Sequence, residues 1–217
     1  MPPLAMHEAV QFPGTQKRPL AAPPPATPDE LTPGQLVGEF RIEQRLGAGG
    51  TSIVYAATHR TIGKRAAVKV LRRYLVDVPL AVDQFVREGR VANAVDHRNV
   101  AGVFDLGHLP DGRPYMLMER LPGESLRRRL DGERMPLAET VRIGREICAG
   151  LAAIHGAGYV HGDIKPDNVF LTDDAEGWEV VKLIDFGTSR PSSAAAETSR
   201  EGGLLIVGTP AYMPPEQ

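Results

Sequence analysis

Only one cysteine, Cys148, occurs in the 217 residues, so no disulfide can form within the chain. That excludes a disulfide scaffold and makes a reducing, cytoplasmic setting the expectation. Cys148 falls in an apolar helical pattern and is expected to be a small core residue, not a reactive thiol. An excess of one charge is also missing. The 25 basic and 27 acidic side chains leave a formal net charge of −2, which gives no footprint for nucleic acid or for an anionic membrane. Long apolar runs are absent too. A stretch such as Leu204–Val207 is far too short to span a bilayer, and the N-terminus has no basic segment followed by an apolar one. Neither a membrane anchor nor a signal peptide is therefore expected in this sequence. The chain has no internal repeats. Its 42% apolar and 24% charged composition is that of an ordinary globular protein of one or two domains.

Nine of the 19 prolines lie in residues 1–33, where apolar periodicity is missing. This stretch reads as an extended, disordered leader, with its boundary placed at residues 1–37. Alternation then predicts a strand over Phe40–Leu46, and further strands over Ile53–Ala57 and Arg65–Leu71. A helix is expected over Leu80–Val95. Strands Val100–Leu106 and Tyr115–Leu121 flank an Asp111-Gly112 hairpin turn. Ile143, Ile147, Leu151 and Ile154 share one face of a helix that Gly156 and Gly158 can stop. Val169–Leu171 and Val180–Ile184 are short strands, and 188–203 reads as a mobile loop. Strands first and helices second make an α+β, two-lobed architecture, and ligands commonly sit between such lobes.

Gly47-Ala48-Gly49-Gly50-Thr51-Ser52-Ile53-Val54 lies between two predicted strands. Small residues let backbone N–H groups of such a hairpin approach a phosphate, although a plain glycine-rich turn would have the same sequence. A dinucleotide fingerprint is excluded because a strand follows, not a helix. A Walker loop is excluded because Gly63-Lys64-Arg65 lacks the required Ser or Thr. Lys69 sits in an apolar strand and Glu88 in the following helix. Either alone would by default be a solvated surface charge.

His161-Gly162-Asp163-Ile164-Lys165-Pro166-Asp167-Asn168, followed by Asp185-Phe186-Gly187, resembles the catalytic loop and metal-binding segment of the eukaryotic-like Ser/Thr protein kinases, bacterial type. Ala66-Ala67-Val68-Lys69 is similar to the third kinase strand, and Gly47-x-Gly49-x-x-Ser52-x-Val54 to the glycine-rich loop. Met116-Leu117-Met118-Glu119-Arg120-Leu121 resembles the strand entering the hinge. Gly208-Thr209-Pro210-Ala211-Tyr212 resembles the substrate-docking loop. The resemblance spans residues 38–217. It divides the chain into a strand-rich N-lobe at 38–120 and a partial helical C-lobe at 121–217.

The resemblance implies an ATP-dependent Ser/Thr protein kinase acting on a protein substrate, with Mg²⁺ or Mn²⁺. Asp163 would be the base and Lys165 would stabilise the transferred phosphate. Lys69, paired with Glu88, would hold the α- and β-phosphates; Asp83, Glu119 and Glu124 fit that partnership less well. Thr209 would bond near Asp163 and Lys165, and Asn168 and Asp185 would hold the metal. Gly47, Ala48, Gly49, Gly50, Ser52, Val54, Ala67, Met118, Glu119, Leu121 and Phe170 would surround the nucleotide. Ser192, Ser193, Thr198 and Ser199 would be available for autophosphorylation.

Four departures from the family pattern stand out, and two of them carry expectations. Gly162 stands where most of the family have Arg, so activation-loop phosphorylation is not expected to be the switch. Ser52 and Pro214 replace a usual Gly and Ala, which are mild changes. The sequence stops after Pro214-Pro215-Glu216, where the family continues into further helices. That predicts an unpaired Glu216 and an uncovered apolar face on the 137–155 helix, open to self-association or to a covering partner. The alternative function is therefore a truncated, non-catalytic fragment that binds nucleotide or acts as a scaffold, or one that does not fold alone.

Overall fold

The computed structural model describes residues 29–131, 134–186, 190–191 and 209–213. Six antiparallel strands form one sheet: β1 (Leu36–Val37), β2 (Phe40–Ala48), β3 (Ser52–His59), β4 (Arg65–Leu71), β5 (Val103–His108) and β6 (Pro114–Glu119). Their spatial order is β1-β2-β3-β4-β6-β5. β4 lies between β3 and β6 and is buried along its length after Arg65. Its run of Ala, Val and Leu suits a strand covered on both faces. Helix α1 (Pro79–Asn93) packs with Phe85, Val91 and Ala92 inward, and Pro79 supplies the preset φ of a first helical turn.

β5 begins three residues later than the alternation predicts. Residues 99–101 are committed elsewhere: Leu183 N–H donates to the Asn99 carbonyl (2.8 Å), and Ala101 N–H to the Leu183 carbonyl (3.0 Å). The leader boundary also needs correction, because order begins no later than Asp29. Leu31 is buried and its N–H donates to the Tyr55 hydroxyl, while Leu36–Val37 pairs with β2. Buried Leu31 and the contacts of Asp29 with Arg73 and Arg113 seat the segment, and proline content hides them. Residues 1–28 lie outside the described residues.

The second lobe holds β7 (Glu124–Ser125), α2 (Leu126–Arg129), α3 (Leu137–Gly156), β8 (Tyr159–Val160), β9 (Val169–Asp173), β10 (Glu179–Leu183) and β11 (Arg190–Pro191). α3 buries Ile143, Gly150 and Ile154. A Cβ on Gly150 would come within 2.9 Å of both the Asn99 carbonyl and Leu183, so glycine sets the closeness of α3 to the β9–β10 hairpin. On the opposite face Leu137 and Val141 are exposed. Cys148 is exposed as well, which corrects the expected core position. It follows Ile147 by one residue, about 100° around the helix, and so leaves the buried stripe. One apolar cluster runs through both lobes, from Leu71, Phe85 and Met116 to Ile154, Leu183 and Phe186. No helix among the described residues is long and apolar enough to cross a membrane.

The lobes meet at a glycine. Gly123 has φ 123°, and a Cβ there would lie 2.0 Å from the Leu171 carbonyl oxygen. Gly123→Ala is expected to destabilise the fold by about 1–3 kcal/mol from the backbone angle alone, with the clash in addition. A urea titration checks this; an unchanged midpoint would contradict the close approach.

Candidate active site

The β9–β10 hairpin builds one half of the site. Its register pairs Val169 with Leu183, which sets the residue before β9 beside those after β10. Ile184 N–H donates to the Asn168 carbonyl at 3.0 Å. Asn168 and Asp185 therefore become neighbours although 17 positions separate them in the chain. Asp185 has φ 66°, the one left-handed backbone among the described non-glycine residues. Such conformations gather at functional sites.

Around Asp163 three side chains converge. Lys165 Nζ lies 2.6 Å from Asp163 Oδ2 and 2.8 Å from Thr209 Oγ1. The Thr209 hydroxyl donates to Asp163 Oδ1 at 2.9 Å. Asn168 Nδ2 donates to the Asp163 carbonyl (2.9 Å) and to Oδ2 (3.2 Å). Thr209 reaches this cluster from more than forty residues along the chain, at the start of a 3-10 turn over Pro210–Tyr212.

His161 is buried at 1% exposure, its ring 5.1 Å from that of Phe186. Burial holds its pKa below the ordinary histidine value. A neutral imidazole suits its bond, because Nδ1 accepts the Asp163 N–H at 3.4 Å. Gly162, between them, has φ 82°. An arginine would be strained in that conformation, so the local backbone itself accounts for glycine here.

The sheet supplies the other half. Cross-strand partners share a face, as do residues two apart on one strand. Ala67 and Lys69 on β4 pair with Met118 and Met116 on β6, and Lys69 also pairs with Val54 on β3. Val54, Ala67, Lys69 and Met118 are thus on one face. Lys69 is 9% exposed and Glu88 6%. Lys69 Nζ is 2.5 Å from Glu88 Oε1 and 3.3 Å from Asp185 Oδ1. Burial alone would push the lysine pKa down, but Glu88 and Asp185 outweigh it and hold the amine above its usual value, as a cation. The rival acids are placed elsewhere: Glu119 pairs with Lys182 at 2.8 Å and Glu124 with Arg129 at 2.9 Å.

Between β2 and β3 the glycine-rich turn is open. A Cβ at Gly47 or Gly50 would meet nothing within 4 Å, and none of Gly47, Gly49 and Gly50 has a positive φ. The protein's own packing does not require glycine there. Gly49 differs from the expectation in one respect: its N–H donates to the Ser52 carbonyl at 2.8 Å and closes the turn. Ala48 and Ser52 flank this turn, and Ser52 is buried. Leu121 and Phe170 are half-buried, on the connection after β6 and on β9.

Sequence reasoning passed over several residues that hold this arrangement. Buried Asn99 donates to Glu146 Oε2 (3.1 Å) and to the Val181 carbonyl (2.8 Å), tying β10 to α3. Arg129 bridges Glu124, Glu139 and Glu179, at 2.9, 2.8 and 2.8 Å. Neither shows a spacing signal in the sequence. Gly187, Ser192, Ser193, Thr198, Ser199, Gly208 and Pro214–Glu216 lie outside the described residues.

Comparison with known proteins gives consistent matches. The family model described as protein kinase domain matches residues 40–217. The serine/threonine-protein kinase Pkn1 of Myxococcus xanthus is 39% identical over 204 residues, covering 94% of this chain and 29% of that protein. The probable serine/threonine-protein kinase PknB of Corynebacterium glutamicum is 36% identical over 191 residues, covering 84% and 28%. This chain thus spans less than a third of those two relatives. The crystal structure of the Mycobacterium tuberculosis PknI kinase domain superposes with TM-score 0.63 at 25% identity, covering 73% of this chain and 63% of that one.

Proposed function

Because the chain belongs to the protein kinase domain family, we propose that it transfers the γ-phosphate of ATP to a serine or threonine hydroxyl of a protein. The observation that carries this reading is the convergence of Asp163, Lys165, Asn168 and Thr209 beside the buried Lys69–Glu88 pair.

Phosphoryl transfer demands little covalent help. It demands an aimed nucleophile and neutralised phosphate charge. The substrate hydroxyl oxygen forms a bond to the γ-phosphorus, the bond from that phosphorus to the bridging oxygen breaks, and ADP leaves. Asp163 takes the hydroxyl proton. Its Oδ2 is held by Lys165 and Asn168, and its Oδ1 by Thr209, so the carboxylate is oriented before substrate arrives. Lys165, at the same oxygen, carries positive charge to the transferred phosphate. Lys69 is fixed by Glu88 and holds the α- and β-phosphates. The face carrying Val54, Ala67 and Met118 roofs the base, the backbone of Glu119 and Leu121 bonds its edge, and Phe170 lies beneath.

Mg²⁺ (or Mn²⁺) fits the remaining donors. Asn168 and Asp185 offer hard oxygens side by side, and the Asp185 side chain is 46% exposed. Among the described residues no three His, Cys, Asp or Glu side chains group as a metal cage. Two protein ligands completed by phosphate oxygens is the arrangement Mg²⁺ favours at nucleotides. When bound, the metal would neutralise charge on the phosphates.

Thermal unfolding of the full chain, with and without MgATP, tests the reading. At ATP 100-fold above its Kd, binding adds about 2.7 kcal/mol, so the melting temperature rises. Asp185→Asn or chelation of Mg²⁺ shrinks the rise. A wild-type melt indifferent to MgATP would contradict the proposal.

A further inference from the structure

The outside of the glycine-rich turn is held by side chains that belong to none of the motifs. Arg72, the residue after β4, donates from Nε and Nη2 to the Gly49 carbonyl at 3.0 and 2.9 Å. Its backbone N–H donates to the Thr51 carbonyl at 2.8 Å. The Tyr74 hydroxyl donates to the Gly50 carbonyl. Three successive carbonyls are therefore bound from one segment, residues 72–74.

A trans peptide is a rigid plane whose C=O and N–H point in opposite directions, and no cis peptide is present. Fixing the carbonyls of Gly49, Gly50 and Thr51 also fixes the N–H groups of Gly50, Thr51 and Ser52, which belong to the same three planes. Those N–H groups are aimed away from Arg72 and Tyr74. Successive backbone N–H groups turned to one side form an anion-binding concavity.

Arg72 has its own anchor. Asp29 lies 3.7 Å from it (Oδ2 to Nη1) and accepts the Arg73 N–H at 2.8 Å. Arg113, 5% exposed in its side chain, lies 3.2 Å from Asp29 Oδ1 and also donates to the Asp29 carbonyl. Asp29 precedes every strand of the fold, yet it ends a chain of contacts that reaches the phosphate loop.

We infer that Arg72 is a positioning residue for the ATP phosphates, and that Asp29 sets Arg72, so the segment ahead of the first strand takes part in nucleotide binding. This rests on the kinase reading above. It makes the loop's phosphate affinity depend on a guanidinium that bonds to a carbonyl of the loop on one side and faces Asp29 on the other.

The test compares full-chain wild type, Arg72→Met, Arg72→Lys and Asp29→Asn by calorimetric titration with MgATP and, separately, with adenosine. Arg72→Met is expected to weaken MgATP about tenfold, the loss of one charge-assisted, two-pronged contact, with adenosine affinity unchanged. Arg72→Lys falls between, because an ammonium cannot make the two-pronged bond. Asp29→Asn weakens MgATP in the same direction by roughly threefold, as expected for a partly exposed ion pair. In steady-state kinetics the Arg72→Met loss falls on the KM for ATP more than on kcat. Equal losses for ATP and adenosine would reduce Arg72 to a structural role and overturn the inference, as would unchanged MgATP affinity in Arg72→Met. Unchanged affinity in Asp29→Asn would remove the part assigned to the leading segment. A wild type that binds no MgATP would overturn the kinase reading and this inference with it.

Discussion

Asp163→Asn lowers the rate of phosphoryl transfer at saturating MgATP by roughly 10²–10⁴-fold, the span of a lost general base. Asparagine keeps the size and the planar head of aspartate. With its amide oxygen at the Oδ2 position it can still accept from Lys165 and Asn168, while its amide nitrogen, at the Oδ1 position, donates to the Thr209 hydroxyl instead of accepting from it. The substitution removes the negative charge that faces Lys165 and, with it, the capacity of this side chain to take a proton. MgATP affinity and the melting temperature are therefore expected to stay near wild type, because the Asp163 carboxylate bonds to Lys165, Asn168 and Thr209 and not to the glycine-rich turn or the Lys69–Glu88 pair. Single-turnover kinetics with pre-bound ATP separates the chemical step from binding. A wild-type rate in this variant would remove Asp163 from the mechanism.

Lys69→Met is expected to act on both stability and function. Glu88 is 6% exposed and its carboxylate lies 2.5 Å from the lysine amine. Removing the cation leaves a carboxylate in an apolar setting formed by the underside of α1 and the centre of the sheet. Breaking a buried pair in this way costs about 3–5 kcal/mol. For a domain of this size that lowers the melting temperature by roughly 10 °C. Restoring an apolar partner separates the two effects. Lys69→Met with Glu88→Leu should recover most of the stability, since both charges are then gone, while MgATP affinity stays low. Denaturant titration of the single and double variants, beside calorimetric binding, checks this. A Lys69→Met protein as stable as wild type would contradict the buried pair.

The sequence made some parts of this molecule legible because each carried a local signal. β4 matched its expected bounds because alanine, valine and leucine fill a strand buried on both faces. Helices α1 and α3 were visible in their periodicity. The Lys69–Glu88 pairing and the meeting of Thr209 with Asp163 and Lys165 followed from resemblance. No propensity joins residues so far apart. What was missed shares a different physical character. Arg72, Asn99 and Arg129 work through bonds to backbone or to scattered acids, and one arginine among 25 basic residues carries no spacing signal. Leu31 seats the leader by a tertiary contact with Tyr55 that composition conceals. Cys148 misled because an apolar neighbour, Ile147, holds the inward position one step earlier on the helix.

The most direct test of the central claim is the phosphoserine and phosphothreonine formed on a degenerate serine/threonine peptide library, with MgATP and the full chain, wild type against Asp163→Asn. The account predicts MgATP-dependent phosphorylation of hydroxyl residues by the wild type and its loss in the variant. A wild-type chain that binds MgATP yet transfers nothing, or equal transfer by both proteins, would contradict it.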